Sequence, residues 1–253
     1  MPLLEVRGLS KSYFGVPALR GVSLQVAPGE LVGVIGPNGA GKTTLFDCIM
    51  GSLDITDGRV RFRDEDITGW PEHRVARRGM RRLHQLTEVF PQLSVMDHML
   101  IAAQESPPEG FFGTLFHTAR VREREARNRE RARGLLELLR LAHMADEPGG
   151  TLSYGQRKLV ALGMIIIAEP GLVLLDEPMG GVNETLIEQI SEYIVQLNAE
   201  GRTFVVIEHN MHAVMRMCRR IVVLDHGETI AEGTPAEIQG NPAVLEAYLG
   251  RAR

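Results

Sequence analysis

The sequence predicts an α/β fold, a parallel sheet flanked by helices and interrupted midway by a helical lobe. Two runs after residue 170, "GLVLLDEP" and "RTFVVIEH", are continuously apolar and rich in β-branched residues. Strands of that kind are buried on both faces, as in a parallel sheet covered by helices. A third run, "ELVGVIG", passes through a glycine-rich loop into a helical pattern that stops at Gly51. Between about Val75 and Pro170 the apolar spacing is helical instead.

The elements follow in order. "LLEVRGL" and "VSLQVAPGE" read as strands, the second closed by a Pro-Gly turn. "GRVRFRDEDI" reads as a further strand. "SVMDHMLIAAQ" has helical spacing with Ser94 and Asp97 as a cap pair. "ESPPEGFFGTLFHT" is a loop-like insertion with an aromatic cluster. In "ARVREREARNRERARGLLELLRLAHM" the arginines alternate with Glu123, Glu125 and Glu130, so the run reads as a solvated, salt-bridged helix face rather than a nucleic-acid contact. "TLSYGQRKLVALGMIIIAEP" opens as a capped helix. Ser153 accepts from the third helical N–H, Gln156 reaches back, and an almost wholly apolar run follows to Pro170. "ETLIEQISEYIVQLNAEG" is amphipathic and stops at Gly201. "RIVVLDHGETIAEG" reads as a hairpin turning at His226-Gly227, and short helices finish the chain. The division expected is a catalytic core over 1–85 and 159–253 and a helical subdomain over 86–158.

Composition narrows the function. With 253 residues, the chain fits one large domain or a domain with an inserted lobe. A formal net charge of −4 argues against broad nucleic-acid binding, which needs a basic face. Cys48 and Cys218 lie in apolar contexts and are expected to be reduced and buried. The start, "MPLLEVRGLSKSY", carries charge too early for a secretory signal, and the longest apolar run, 159–168, is too short to cross a bilayer. The expectation is a cytosolic protein that serves any membrane from its surface.

Four motifs carry chemistry. "GPNGAGKT", residues 36–43, fits G-x-x-x-x-G-K-[ST] between a strand and a helix. Its glycines let backbone N–H groups curl around phosphates at a helix N-terminus. Asn38, Gly39, Ala40, Gly41 and Thr44 are candidate phosphate contacts, Lys42 a neutraliser of the β- and γ-phosphates, and Thr43 a Mg²⁺ ligand. In "LVLLDEP", Asp176 ends a buried strand where it would complete the Mg²⁺ shell, and Glu177 beside it would polarise an attacking water. His209, after "FVVIE", leaves a neighbouring strand where a γ-phosphate would lie. Gln85 stands where the core passes into the lobe, placed to sense Mg²⁺ and move the lobe.

With these residues in place, the chain resembles the ATP-binding subunits of ABC transporters. Tyr13, the phosphate loop 36–43, Gln85, "LSYGQ" 152–156, "LVLLDEP" 172–178 and His209 stand in that family's order over nearly the whole length. The phosphate loop occurs in many families; "LSYGQ" placed before the acid strand is what singles out this one. The resemblance implies a P-loop NTPase (RecA-like) core with an antiparallel β subdomain and an inserted α-helical subdomain. It implies ATP and Mg²⁺ as cofactors, and ATP hydrolysis with Glu177, His209 and Gln85 as the catalytic set. It implies a head-to-tail dimer, with a second copy or a paralogue, in which Ser153, Gly155 and Gln156 of one chain face the γ-phosphate held by the other. Tyr13 would stack on adenine, with Phe14 as the alternative. Integral membrane permease subunits would be partners, which puts the chain on the cytoplasmic face of the inner (plasma) membrane. Stretch 86–95 would supply a groove for a short permease helix, lined or supported by Val89, Phe90 and Leu93. Two positions depart from the family pattern: Tyr154 replaces a glycine, and Asn183 stands where an aspartate is usual.

Within the family the likeness is to the ATPases of branched-chain amino acid uptake, on "LSYGQ", Asn183, the "FFGTLFHT" insertion and the ending "GTPAEIQGNPAVLEAYLG". Urea, amide and lipopolysaccharide systems are the alternative cargoes. A non-transport ABC ATPase is a further alternative, although repair types generally carry a long coiled-coil insertion and translation types two cassettes. A P-loop kinase or GTPase has no reason to keep both "LSYGQ" and His209.

Overall fold

A computed structural model describes the protein over residues 1–84, 89–104 and 119–249. It divides into two compact units, Met1–Gln85 with Gly171–Arg253, and Leu86–Pro170. The boundary expected at 158/159 falls inside one unbroken helix, so the lobe runs on to Pro170. Gln85 and the aromatic insertion lie outside the described residues.

The first unit holds two sheets. The antiparallel one has the order β2-β1-β4-β5 and is built from β1 (Leu4–Tyr13), β2 (Val16–Val26), β4 (Asp57–Phe62) and β5 (Glu65–Asp66). β1 and β2 outrun the sequence reading, which ended the first strand at Leu9 and began the second at Val22. Gly8 sits at a register shift in β1, and Pro17 lies on β2, an edge strand, where a missing N–H is tolerated. "GRVRFRDEDI" is a hairpin and not one strand, because Arg63 and Asp64 both take positive φ (51° and 63°). Phe14-Gly15 and His226-Gly227 make the same kind of two-residue turn.

The second sheet has the order β10-β9-β3-β8-β7-β6. Its members are β3 (Leu31–Ile35), β6 (Met80–Leu83), β7 (Leu172–Asp176), β8 (Phe204–Ile207), β9 (Arg220–Asp225) and β10 (Glu228–Gly233). All neighbours are parallel except the β9–β10 hairpin. β3, β7 and β8 are buried at every position, as their unbroken apolar runs require. Helices α1 (Lys42–Met50), α2 (Glu72–Arg77), α6 (Glu184–Ala199), α7 (Met211–Met217), α8 (Pro235–Gln239) and α9 (Pro242–Leu249) complete the unit. Cys48 on α1 and Cys218 after α7 are free and buried, and burial raises their thiols to about 11 and about 12.

The turn of the β9–β10 hairpin closes over the glycine loop. Gly227 N–H donates to the Ala40 carbonyl at 3.1 Å, and Arg20 N–H donates to the Gly227 carbonyl at 2.8 Å. A Cβ on Gly36 would meet the Leu224 carbonyl oxygen at 2.0 Å, so only glycine fits there.

The second unit is helical: α3 (Val95–Ala102), α4 (Ala119–Leu138) and α5 (Tyr154–Ile167). α3 and α5 each begin in a capping box, Ser94–Asp97 and Ser153–Gln156. They pack closely at Gly163, where a Cβ would lie 2.8 Å from Met99 Cε and 3.0 Å from Leu139 Cδ1. Along α4, Arg127 pairs with Glu123 and Arg133 with Glu130. Among the described residues no helix is long and apolar enough to cross a membrane.

Candidate active site

The sheet order brings three motifs of the first unit together. β3 enters the glycine loop, β7 ends on Asp176, and β8 runs between them. His209 therefore leaves the sheet between the loop and the acids.

The glycine loop is shaped by its backbone. Gly36, Gly39 and Gly41 have φ of 149°, 79° and 99°, of which the last two are left-handed turns open to glycine at no steric cost. Gly41 is the N-cap of α1 and offers no side-chain cap, and the first turn of α1 holds no acid. The helix start thus keeps exposed donors and positive partial charge, which suits an anion. Lys42 is buried and its Nζ donates to the carbonyls of Gly36 (2.8 Å) and Pro37 (3.1 Å), which folds the ammonium back over the loop. Thr43 and Thr44 follow on the first turn; Thr43 is exposed.

Asp176 is buried at 5% exposure, and Arg82 Nη2 donates to its Oδ2 at 2.6 Å. Arg82 Nη1 donates to Asp47 on α1. Burial works against the guanidinium charge, but the bonds to Asp47 and Asp176 outweigh it and raise the Arg82 pKa. The carboxylate of Asp176 and the hydroxyl of Thr43 are hard oxygen donors of the type Mg²⁺ takes, so these residues fit that ion.

Glu177 adopts φ 50°, rare for a residue with a side chain, and its N–H donates to the Ile207 carbonyl at 2.9 Å. The turn aims the carboxylate at His209, whose Nε2 lies 2.6 Å from Glu177 Oε1. Glu208, 3% exposed, braces this pair from below. Its Oε1 accepts from Met179 N–H at 2.7 Å, and its Oε2 accepts from His209 N–H at 3.0 Å and Asn210 N–H at 3.5 Å. Burial raises the Glu208 pKa, opposed by those three bonds. Asn183 caps α6 by accepting from Leu186 N–H at 2.9 Å.

Tyr13 and Phe14 stand exposed at the β1–β2 hairpin tip, with the Lys11 ammonium 5.2 Å from the Tyr13 ring. In the second unit Ser153, Gly155 and Gln156 share the start of α5. Ser153 N–H donates to Gln156 Oε1 at 2.8 Å, and Gln156 N–H donates to Ser153 Oγ at 3.3 Å. Tyr154 is exposed beside them, its ring under the Lys158 ammonium. In the same unit Phe90 is exposed, its N–H donates to His98 Nε2 at 2.9 Å, and the two rings stack.

Two residues of this site escape the sequence reading. Arg82 lies in "MRRL", which has no β-branched residue to announce a strand. Glu208 carried a signal that passed unused: an acid closing an unbroken apolar run, next to a histidine.

Comparison with known proteins shows the family. The ABC transporter family matches residues 19–180, and the branched-chain amino acid ATP-binding cassette transporter family matches 228–253. The high-affinity branched-chain amino acid transport ATP-binding protein BraF of Pseudomonas aeruginosa is 37% identical over 99% of both chains. LivG of Escherichia coli, described in the same words, is 36% identical over 99% of both. The solved ADP conformation of MJ1267, an ATP-binding cassette of an ABC transporter, is 33% identical, covering 99% of this chain and 100% of its own, with a TM-score of 0.84. By its fold, its motifs and these full-length likenesses, the chain belongs to the ATP-binding proteins of ABC transporters, of the branched-chain amino acid transport type.

Proposed function

We propose that this chain binds and hydrolyses ATP to drive import of branched-chain amino acids through membrane permease subunits. The observation that carries the hydrolysis is the 2.6 Å approach of His209, just past the end of β8 beside the strand that enters the phosphate loop, to Glu177 at the end of the next strand, β7. Lys42 and the N–H groups of residues 38–44 hold the triphosphate. Thr43, Asp176 and Gln85 would hold Mg²⁺, which supplies charge neutralisation at the β- and γ-phosphates. Glu177 takes a proton from water as the water oxygen bonds to the γ-phosphorus and the bond to the β,γ-bridging oxygen breaks. His209 orients Glu177 and the γ-phosphate. The cargo reading rests on the full-length likeness to BraF and LivG.

The partners follow from the same reading. A second ATPase chain places Ser153, Gly155 and Gln156 over the γ-phosphate, where the exposed helix start offers donors to an anion. Phe90, presented on the surface by His98, supports a permease contact. The chain would work at the inner face of the membrane.

Glu177→Gln is the test. It should bind MgATP normally, hydrolyse it at least about a hundredfold more slowly, and accumulate as an ATP-bound dimer on gel filtration. Near-wild-type turnover would remove Glu177 from the role of base. Uptake of radiolabelled leucine, urea and glutamine by membranes carrying the assembled complex decides the cargo.

A further inference from the structure

Arg82 has no part in the hydrolysis scheme above, yet its guanidinium is buried against an acid that scheme needs. It lies on β6 in register with Leu174 of β7, and its side chain is 3% exposed. One terminal nitrogen donates to Asp176 at 2.6 Å and the other to Asp47. Asp47 belongs to α1, the helix whose first turn carries Lys42 and Thr43. The face of Phe46, from the same helix, stands 5.7 Å from the guanidinium carbon. The third nitrogen, Nε, is buried with no hydrogen-bond partner among the described residues. The place of the side chain is therefore set by the two carboxylates, at the expense of a bond left unmade. A planar fork spanning two acids is a task for arginine, since lysine is a point charge.

We infer that Arg82 is a positioning residue that holds Asp176 aimed and charge-compensated until a divalent cation arrives with the nucleotide. This rests on the reading of Asp176 as a Mg²⁺ ligand. One guanidinium between two carboxylates leaves a single net negative charge, shared by Asp47 and Asp176. A free divalent cation finds little there to bind. The nucleotide adds its own phosphate oxygens and negative charge, and the site then holds the ion. The same fork fixes the end of β7 to α1, so the acid keeps station relative to the loop that holds the phosphates.

Mn²⁺, followed by electron paramagnetic resonance, is the probe. On nucleotide-free protein, Arg82→Met should bind Mn²⁺ at least about tenfold more tightly, because two acids lose their compensating charge. Asp47→Asn should bind it more weakly, because the guanidinium then answers Asp176 alone. Arg82→Lys should return the affinity to within about threefold of wild type, because the charge is kept. Its ATP turnover should nevertheless fall below that of wild type, because the fork is lost. Unchanged Mn²⁺ affinity in Arg82→Met overturns the inference. If that variant does not fold, unchanged affinity in Asp47→Asn overturns it instead. Asp176→Asn, measured in parallel with Mn²⁺ and a non-hydrolysable ATP analogue, separates the two claims. Full retention of Mn²⁺ there removes Asp176 as a ligand. Loss there, with Arg82→Met unchanged, removes Arg82 alone.

Discussion

Glu208→Gln tests whether the brace beneath the Glu177–His209 pair acts on chemistry or only on folding. The carboxylate serves N–H groups on two sides, Met179 at 2.7 Å and His209 at 3.0 Å, with Asn210 at 3.5 Å. An amide has one oxygen, so one side must face an NH₂ group, donor against donor. Losing a hydrogen bond to a charged group costs about 1.5–3 kcal/mol. Part of that returns, because the amide spares the burial of a charge, which already raises the Glu208 pKa. The net loss should be about 1–2 kcal/mol, read as a fall in melting temperature of ~2–8 °C for a chain of this size. Turnover should fall further than stability suggests. Met179 follows Glu177 by two residues and His209 is adjacent, so releasing either shifts the 2.6 Å pair, and displacements near 1 Å cost on the order of 10² in rate. The pH dependence has a definite sign. A carboxyl raised above 4.5 in the folded state contributes stability that is full below 4.5 and is lost as pH rises through the raised value. The stability gap between wild type and Glu208→Gln should therefore be wider at the acid end of that window than at neutral pH. Denaturant melts across pH and steady-state ATPase assays give both readings. A destabilised variant with wild-type kcat and KM would refute the positioning role.

Lys42→Ala should lose ATP binding itself, measured by fluorescent nucleotide titration, since its ammonium crowns the loop. Tyr13→Ala should weaken ATP binding by about tenfold or less, from a stacking contribution of roughly 0.5–1.5 kcal/mol; unchanged affinity, with Phe14→Ala impaired, moves that role by one residue. Phe90→Glu should leave ATP binding intact and abolish co-purification with permease subunits, whereas lost folding would assign Phe90 to packing. The Ser94 hydroxyl holds Asp97 below its usual 3.8, so the α3 capping box contributes above 3.8 and is lost as pH falls through the lowered value. Amide exchange at the start of α3 should rise there in wild type, and at every pH in Ser94→Ala.

The residues that made their structure legible were those whose local pattern and tertiary place agree. β3, β7 and β8 read as buried strands because both faces are covered, and the Ser153–Gln156 box announced α5 because a cap is a local interaction. β6 stayed hidden for the opposite reason. Its two arginines contradict a strand until Asp47 and Asp176, distant in sequence, are seen to neutralise one of them. The far end of the β1–β2 hairpin was masked by Gly15, Pro17 and Gly21, which a turn, an edge strand and register shifts absorb. The lobe boundary was placed 12 residues early (158 against 170) because the helix pattern was cut at the end of a motif instead of at Pro170. In the candidate site, the motif residues were visible one by one, but the brace from Glu208 is a relation between two loops that no single stretch displays.

The closure of the phosphate loop by Gly227 sets an order of events during synthesis. β3 emerges early from the ribosome, yet both its neighbours, β8 and β9, are encoded beyond residue 203. The glycine loop can acquire its final shape only when the C-terminal hairpin has come down on Ala40 and Leu224 has met Gly36. Contacts so distant along the chain form slowly. A nascent chain stalled before β9 would expose β3 with an open edge and leave the glycine loop without its contacts to Leu224 and Gly227. The phosphate loop thus receives its last packing partners, Leu224 and Gly227, only near the end of translation.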